Sequence, residues 1–360
     1  MIENIMINAQ KAFEQYRQLS FSKRKDFLFS IADEMEQIRS EIVQQASIES
    51  NLTELRLHNE LNRTIFQLKS YSEAAERGDW LNVSIDTADK DRNPPKPDLR
   101  KTYTPLGVVL VFAASNFPLA YSTAGGDTAS ALAAGCVVIQ KAHQAHIKTS
   151  TIVAEAIARA IKKHQLPEAV FQHIIEDKID IIHQIITHPI LKAIGFTGSF
   201  VGGKAIWELA NSRPEPIPVF AEMSSINPIF IFPEKLNNDL DAVALNIANS
   251  ITLGAGQFCT NPGLIIVRNS EKLQLFIEKI STLIAQTKPV NMLHNGIVRF
   301  FKENRNLILA QPHVTLLAEN NDNYDLHDIP SLAKTTAYEF LNNKLLLTEV
   351  FGSFSLMVVC

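Results

Sequence analysis

Only three cysteines stand in the 360 residues, Cys136, Cys259 and Cys360, an odd number at wide spacing. That argues against a disulfide framework and suits a reducing, cytoplasmic compartment. Glycine is scarce too, 14 of 360, against about 7% in average proteins. No excess of one charge exists. Lys and Arg number 34, Asp and Glu 38, and the net charge is −4. No basic face for nucleic acid or an anionic membrane is therefore expected. Met1-Ile-Glu-Asn-Ile-Met6 lacks the basic and apolar regions of a secretory leader. The uncharged stretch 102–126 is interrupted by Pro105, Asn116 and Pro118. Its dense apolar part, 107–114, has the length of a buried strand, too short to cross a bilayer. Repeats and low-complexity tracts are absent. What is left is a soluble globular chain, 46% hydrophobic and 20% charged, long enough for two domains.

What is present has a clear order. Residues 1–76 read as helices: Leu28, Ile31, Met35, Ile38 and Ile42 share one helical face, as do Leu57, Leu61, Ile65 and Leu68. The polar, proline-bearing stretch 86–100 reads as an extended connection or exposed ribbon. From Gly107 strands alternate with helices. Strands are expected at 107–114, 137–140, 170–174 and 191–196, helices at 119–134, 149–163, 179–187 and 199–210. Such βα units imply a doubly wound parallel sheet with ligands beyond the strand C-termini. A second α/β region begins near Asn227.

Eleven of the fourteen glycines fall between Gly107 and Gly263, so the chemistry is sought there. Gly195-Phe-Thr-Gly-Ser-Phe-Val-Gly-Gly-Lys204 lies between a strand and a helix, whose free N–H groups attract phosphate. The run Gly198-x4-Gly203-Lys204 matches most of a P-loop, but Ala205 occupies the position of the magnesium-binding Ser or Thr. A turn with Ser199 as N-cap is the plainer alternative. Gly254-Ala-Gly-Gln-Phe-Cys259-Thr-Asn-Pro262 sets a thiol among small, turn-forming residues just before a strand at 264–267. It is either an activated nucleophile or an inert core cysteine. Glu222 ends the apolar strand 217–221, as a structural partner or a proton-transfer base. Asn116 ends the first sheet strand, as an oxyanion donor or an ordinary turn residue. His143 and His146 have no acidic or thiol ligands near in sequence, so no metal site is expected. Cys136 reads as core.

Together, segments 106–134, 141–146, 194–203, 213–228 and 254–263 resemble the aldehyde dehydrogenase superfamily. The nearest branch holds 2,5-dioxopentanoate (α-ketoglutarate semialdehyde) dehydrogenases and bacterial NADP-dependent fatty aldehyde dehydrogenases. The likeness runs from about residue 10 to the end. It implies a Rossmann-like dinucleotide-binding domain over 1–223, with 84–104 as part of an oligomerisation ribbon, and an incomplete catalytic domain over 224–360. It implies oxidation of a small-molecule aldehyde through a thioester, most simply 2,5-dioxopentanoate to 2-oxoglutarate, with a fatty aldehyde as the alternative substrate. Cys259 is then the nucleophile, Asn116 and the Cys259 backbone N–H the oxyanion donors, and Glu222 the base for hydrolysis. The same resemblance gives Lys141 to the adenosine ribose, Gly198, Ser199 and Gly203 to the pyrophosphate helix start, and Glu349 to the nicotinamide ribose. NADP is the expected cofactor, with His143 and Gln144 near its 2′-phosphate and NAD as the alternative.

Two departures stand out. Ser353 replaces a proline usual after Phe-Gly, and the sequence stops at Leu356-Met-Val-Val-Cys360 within an apolar run. Family members continue further, to a strand that pairs with a neighbouring subunit. The expectation is therefore a C-terminally truncated chain with an unpaired last strand, whose intact form would be a homo-oligomer. A catalytically inactive dinucleotide-binding relative is the rival reading.

Overall fold

Ser20 and Thr53 accept the N–H groups of Lys23 and Arg56, and so start two of the four helices that open the chain. These are α1 (Ile2–Tyr16), α2 (Phe21–Gln37), α3 (Arg39–Ser50) and α4 (Glu54–Arg77). Leu28, Ile31 and Met35 are buried on α2 and Ile42 on α3. Between the two helices Ile38 leaves helical geometry, with φ −110° and ψ 22°. α4 buries Leu57, Leu61 and Leu68 and ends at Gly78, whose φ of 77° suits glycine. An exposed antiparallel ribbon follows, β1 (Ser84–Asp86) against β2 (Leu99–Lys101).

The computed structural model describes residues 1–360, which divide into two units. One comprises Met1–Glu49 and Thr53–Met223, the other Ser50–Leu52 and Ser224–Cys360. The first unit continues through β3 (Val108–Phe112), α5 (Gly126–Ala134), β4 (Val137–Lys141), α6 (Ile147–Lys163) and β5 (Phe171–Ile174). It closes with α7 (Ile179–Thr187), β6 (Leu191–Gly198), α8 (Phe200–Asn211) and β7 (Val219–Met223). Its five strands are all parallel, in the order β5-β4-β3-β6-β7. The chain winds outward from β3 in one direction and then from β6 in the other. The loops after β3 and β6 therefore flank the reversal point, where such sheets bind ligands.

One helix is shorter than the sequence implied. Residues 119–125 form turns, and α5 begins only at Gly126. The N–H groups of Leu119 and Ala120 are taken by the Glu60 carboxylate. The Ala120 carbonyl turns back to accept Gly126 N–H at 3.0 Å. A Cβ on Gly125 would lie 2.3 Å from that carbonyl oxygen, so the fold-back needs glycine there.

The second unit contains β8 (Pro228–Ile231), α9 (Pro233–Thr252), β9 (Leu264–Val267), α10 (Leu273–Gln286) and α11 (Asn295–Leu309). It ends with β10 (Thr315–Glu319), β11 (Ser331–Thr336), α12 (Ala337–Asn342) and β12 (Phe354–Val359). The sheet order is β10-β11-β12-β9-β8, with only β10 antiparallel. β12 is thus hydrogen-bonded on both sides, to β11 and to β9, which corrects the expectation of an unpaired strand. Its apolar run has a simple cause. Met357 packs with Ile247 of α9 and Phe276 of α10, while Phe354, Leu356 and Val358 pack with Phe301 and Ile308 of α11. A central strand buried on both faces reads as continuous hydrophobicity. Ser50–Leu52 belongs here because Asn51 donates to the carbonyls of Met292 at 3.0 Å and Leu293 at 3.3 Å. No helix is long and apolar enough to cross a membrane.

Candidate active site

In the first unit, the residues singled out by sequence cluster at the C-terminal edge of the sheet. Asn116 lies in the loop after β3 and is buried. Its carbonyl accepts a hydrogen bond from Arg56 Nη2 at 2.6 Å. Lys141 ends β4, paired in register with Phe112 and Ile174. Burial lowers its pKa, and Asp177 partly offsets that. Just beyond it, His143 Nδ1 accepts the Ala145 N–H at 3.1 Å and its ring stacks on His146. Gln144 donates to the Ile175 carbonyl at 3.0 Å. Buried His146 reaches the Ala114 carbonyl at 2.9 Å, and burial pulls its pKa down. Glu222 sits exposed near the end of β7, opposite Thr197 of β6.

At the β6–α8 junction Gly198 and Ser199 are exposed. Ser199 Oγ accepts the Gly202 N–H at 3.2 Å and caps α8. Gly203 also has a packing part. It is buried, and a Cβ there would lie 2.3 Å from Met223 Sδ, so glycine lets α8 lie directly on β7. A capped twelve-residue helix starting beside the reversal point offers N–H groups and a positive dipole end. With the Lys141 ammonium on the same edge, the donors suit the phosphates and ribose of a dinucleotide.

In the second unit, the singled-out residues gather at the opposite end of their strands. β8, β9 and β12 are parallel and in register through Pro228, Leu264 and Leu356. The segments before them, around Ser225, Cys259 and Glu349, therefore lie at one edge. Cys259 is exposed. Its peptide is pinned, because the carbonyl accepts from Ser225 Oγ and from Asn227 Nδ2, the latter at 2.6 Å. Asn227 also donates to the Asn261 carbonyl at 3.2 Å, and Asn261 donates to that of Gly352 at 3.0 Å. Upstream, Gly254, Ala255 and Gly256 have φ of 56°, 58° and 65°, a left-handed turn that delivers the cysteine loop. Buried Gln257 fixes it by donating to the Gly254 carbonyl at 3.1 Å and accepting the Leu293 N–H at 2.9 Å. Half-buried Glu349 accepts the Ser225 N–H at 3.2 Å. Ser225, Gly256, Asn261 and Glu349 line one small cavity. Cys136 is buried.

Sequence reasoning gave no role to Asn227, Gln257, Arg56 or Glu60. A signal existed for Asn227, an Asn just before Pro228, a type of residue that tolerates the φ of 42° found there. For Arg56 and Glu60, one helical turn apart on an amphipathic helix, the sequence offered only a solvated polar face.

Comparison with known proteins adds a family, two relatives and two solved structures. Residues 1–296 match the model of the aldehyde dehydrogenase family. The chain is 42% identical to α-ketoglutaric semialdehyde dehydrogenase 2 of Azospirillum brasilense, over 98% of this chain and 67% of that protein. An α-ketoglutaric semialdehyde dehydrogenase of Acinetobacter baylyi is 38% identical, over 97% and 67%. Among solved structures, a glyceraldehyde-3-phosphate dehydrogenase from Methanocaldococcus jannaschii, complexed with NADP, superposes with a TM-score of 0.83. It is 18% identical, with 100% of this chain and 75% of that one covered. Betaine aldehyde dehydrogenase from Staphylococcus aureus with NAD+ gives 0.84 at 19% identity, over 100% and 70%.

Proposed function

The chain belongs to the aldehyde dehydrogenase family, and from that premise we propose that it oxidises 2,5-dioxopentanoate to 2-oxoglutarate through a thioester on Cys259. The observation that carries the mechanism is an exposed thiol on a loop whose peptide is held by two side-chain donors. The substrate class is supported by the two semialdehyde dehydrogenase relatives.

In this reading the Cys259 thiolate attacks the aldehyde carbon, and the carbonyl oxygen gains negative charge. The Asn116 amide and the Cys259 backbone N–H donate to that oxygen, where their hydrogen bonds strengthen most. When bound, the dinucleotide supplies the hydride acceptor that leaves the substrate carbon as a thioester on Cys259. Glu222 then takes a proton from the water that attacks the thioester, releasing the acid and the thiolate. Gly198, Ser199 and the start of α8 would hold the pyrophosphate, Lys141 the adenosine ribose and Glu349 the nicotinamide ribose. NADP is the proposed dinucleotide, with Gln144 and His143 beside its 2′-phosphate, and the exposed β1–β2 ribbon the proposed self-association element.

The test is NADPH formation by the purified chain with 2,5-dioxopentanoate, beside Cys259→Ala. Turnover should vanish in the variant, falling by at least about 10³-fold, while dinucleotide binding by fluorescence quenching persists. Turnover retained in Cys259→Ala would overturn the mechanism. A longer aliphatic aldehyde preferred over the oxo acid would overturn the substrate assignment alone.

A further inference from the structure

Asn116 sits on a loop, and a loop must be anchored if a side-chain amide is to meet a developing oxyanion. Helix α4 supplies three anchors on one face, at spacings of four and three residues. Arg56 donates to the carbonyl of Asn116 itself at 2.6 Å, and its guanidinium lies over the Phe117 ring at 5.1 Å. Arg63 donates to the Tyr121 hydroxyl at 2.7 Å and covers that ring at 5.0 Å. Between them is Glu60, only 5% exposed. Its Oε1 accepts the N–H groups of Leu119 at 2.8 Å and Ala120 at 3.0 Å, and its Oε2 has no hydrogen-bond partner.

A buried carboxylate is a costly way to satisfy two amides. Leu119 and Ala120 are themselves buried, so without an acceptor their N–H groups would have to leave the interior and take the loop with them. We propose that Glu60, assisted by Arg56, is a positioning residue that fixes the Asn116 loop for oxyanion stabilisation. This rests on the proposed role of Asn116. Because that amide would act on charge present only in the transition state, a displaced loop lowers kcat and leaves KM almost unchanged.

Glu60→Leu fills the same volume and removes the acceptor. Glu60→Gln keeps an oxygen that can receive both N–H groups. The expected result is a kcat for Glu60→Leu roughly 10- to 100-fold below wild type, KM within about threefold, and most of the loss restored in Glu60→Gln. Faster amide hydrogen exchange at Leu119 and Ala120 should accompany the loss in Glu60→Leu only. Leu61→Ala, which truncates a fully buried α4 side chain and leaves the Glu60 carboxyl in place, should lower the melting temperature with kcat retained. Unchanged kcat in Glu60→Leu, an equal fall in both Glu60 variants, or a kcat loss in Leu61→Ala that tracks its stability loss would each overturn the proposal. Asn116→Ala tests the underlying reading. If that variant, or a Cys259→Ala control, turns over as fast as wild type, the proposed mechanism fails and takes this inference with it.

Discussion

Asn227 holds the peptide of Cys259, donating from Nδ2 to the Cys259 carbonyl at 2.6 Å and to the Asn261 carbonyl at 3.2 Å. A nucleophile must be aimed as well as reactive, and a displacement of about 1 Å can cost on the order of 10²-fold in rate. Asn227→Ala should therefore lower kcat roughly 10- to 100-fold and change the rate of Cys259 alkylation by iodoacetamide. Asn227→Asp should do worse, since a carboxylate would face two carbonyl oxygens in place of a donor. Alkylation and turnover both equal to wild type in Asn227→Ala would show that the loop needs no such clamp.

Gly256 admits no side chain. Its φ is 65°, and a Cβ would lie 2.2 Å from the backbone carbon and oxygen of Gly352. Backbone cannot rotate away as a side-chain tip can. Gly256→Ala should cost more than about 3 kcal/mol in urea unfolding or prevent folding altogether. Gly126→Ala, where the nearest neighbour is the Gln67 amide at 3.4 Å, should stay within about 1 kcal/mol of wild type. Similar midpoints for the two variants would refute the steric argument.

Glu222→Gln separates the two halves of the proposed reaction. Acylation does not need the base, whereas hydrolysis does, so a rapid first turnover should be followed by a slow steady state. Stopped-flow absorbance of NADPH should show a burst near one equivalent per active site, then a rate lower by roughly 10²-fold. A burst-free trace with uniformly slow kinetics would assign Glu222 to the first step instead.

His173 supplies a pH dependence of stability. Its ring meets Ser150 Oγ at 2.7 Å, Ser150 Oγ meets Thr123 Oγ1 at 2.7 Å, and burial lowers its pKa to about 4. The unfolded chain binds a proton to this histidine at higher pH than the folded one does. Stability is therefore full above about pH 6.5 and is lost as pH falls toward 4. For a group that is only partly buried, the effect is on the order of 1–2 kcal/mol. Urea midpoints at pH 7 and pH 5 should diverge more in wild type than in His173→Gln. An identical acid-side loss in both proteins would remove His173 from the explanation.

Much of the architecture was legible because its signals are local. The apolar stripe of α4, the βα alternation after Gly107 and the Ser199 cap each rest on residues within a few positions of one another. The start of α5 was not legible. A helical pattern runs back to Leu119, but Glu60, about sixty residues earlier, takes the amides that a helix would leave free. The pairing of the last strand was not legible for a related reason. Sequence shows that Phe354–Val359 is apolar but not that β9 and β11 lie on either side of it.

By itself the sequence determined the family, the βα alternation between about residues 107 and 221 and the residue types available for chemistry: a thiol in a glycine-rich loop, a carboxylate on a strand and an amide after a strand. Tertiary structure decided where those groups stand. It set the first unit's candidates at the C-terminal edge of a parallel sheet and the second unit's at the N-terminal ends of the parallel strands β8, β9 and β12. It also decided what holds them: Arg56 and Glu60 at the Asn116 loop, Ser225 and Asn227 at Cys259. The physical reason is range. Helix periodicity, caps and turns are fixed by neighbours in sequence, whereas a buried carbonyl or N–H takes whichever partner the packed chain brings within about 3 Å.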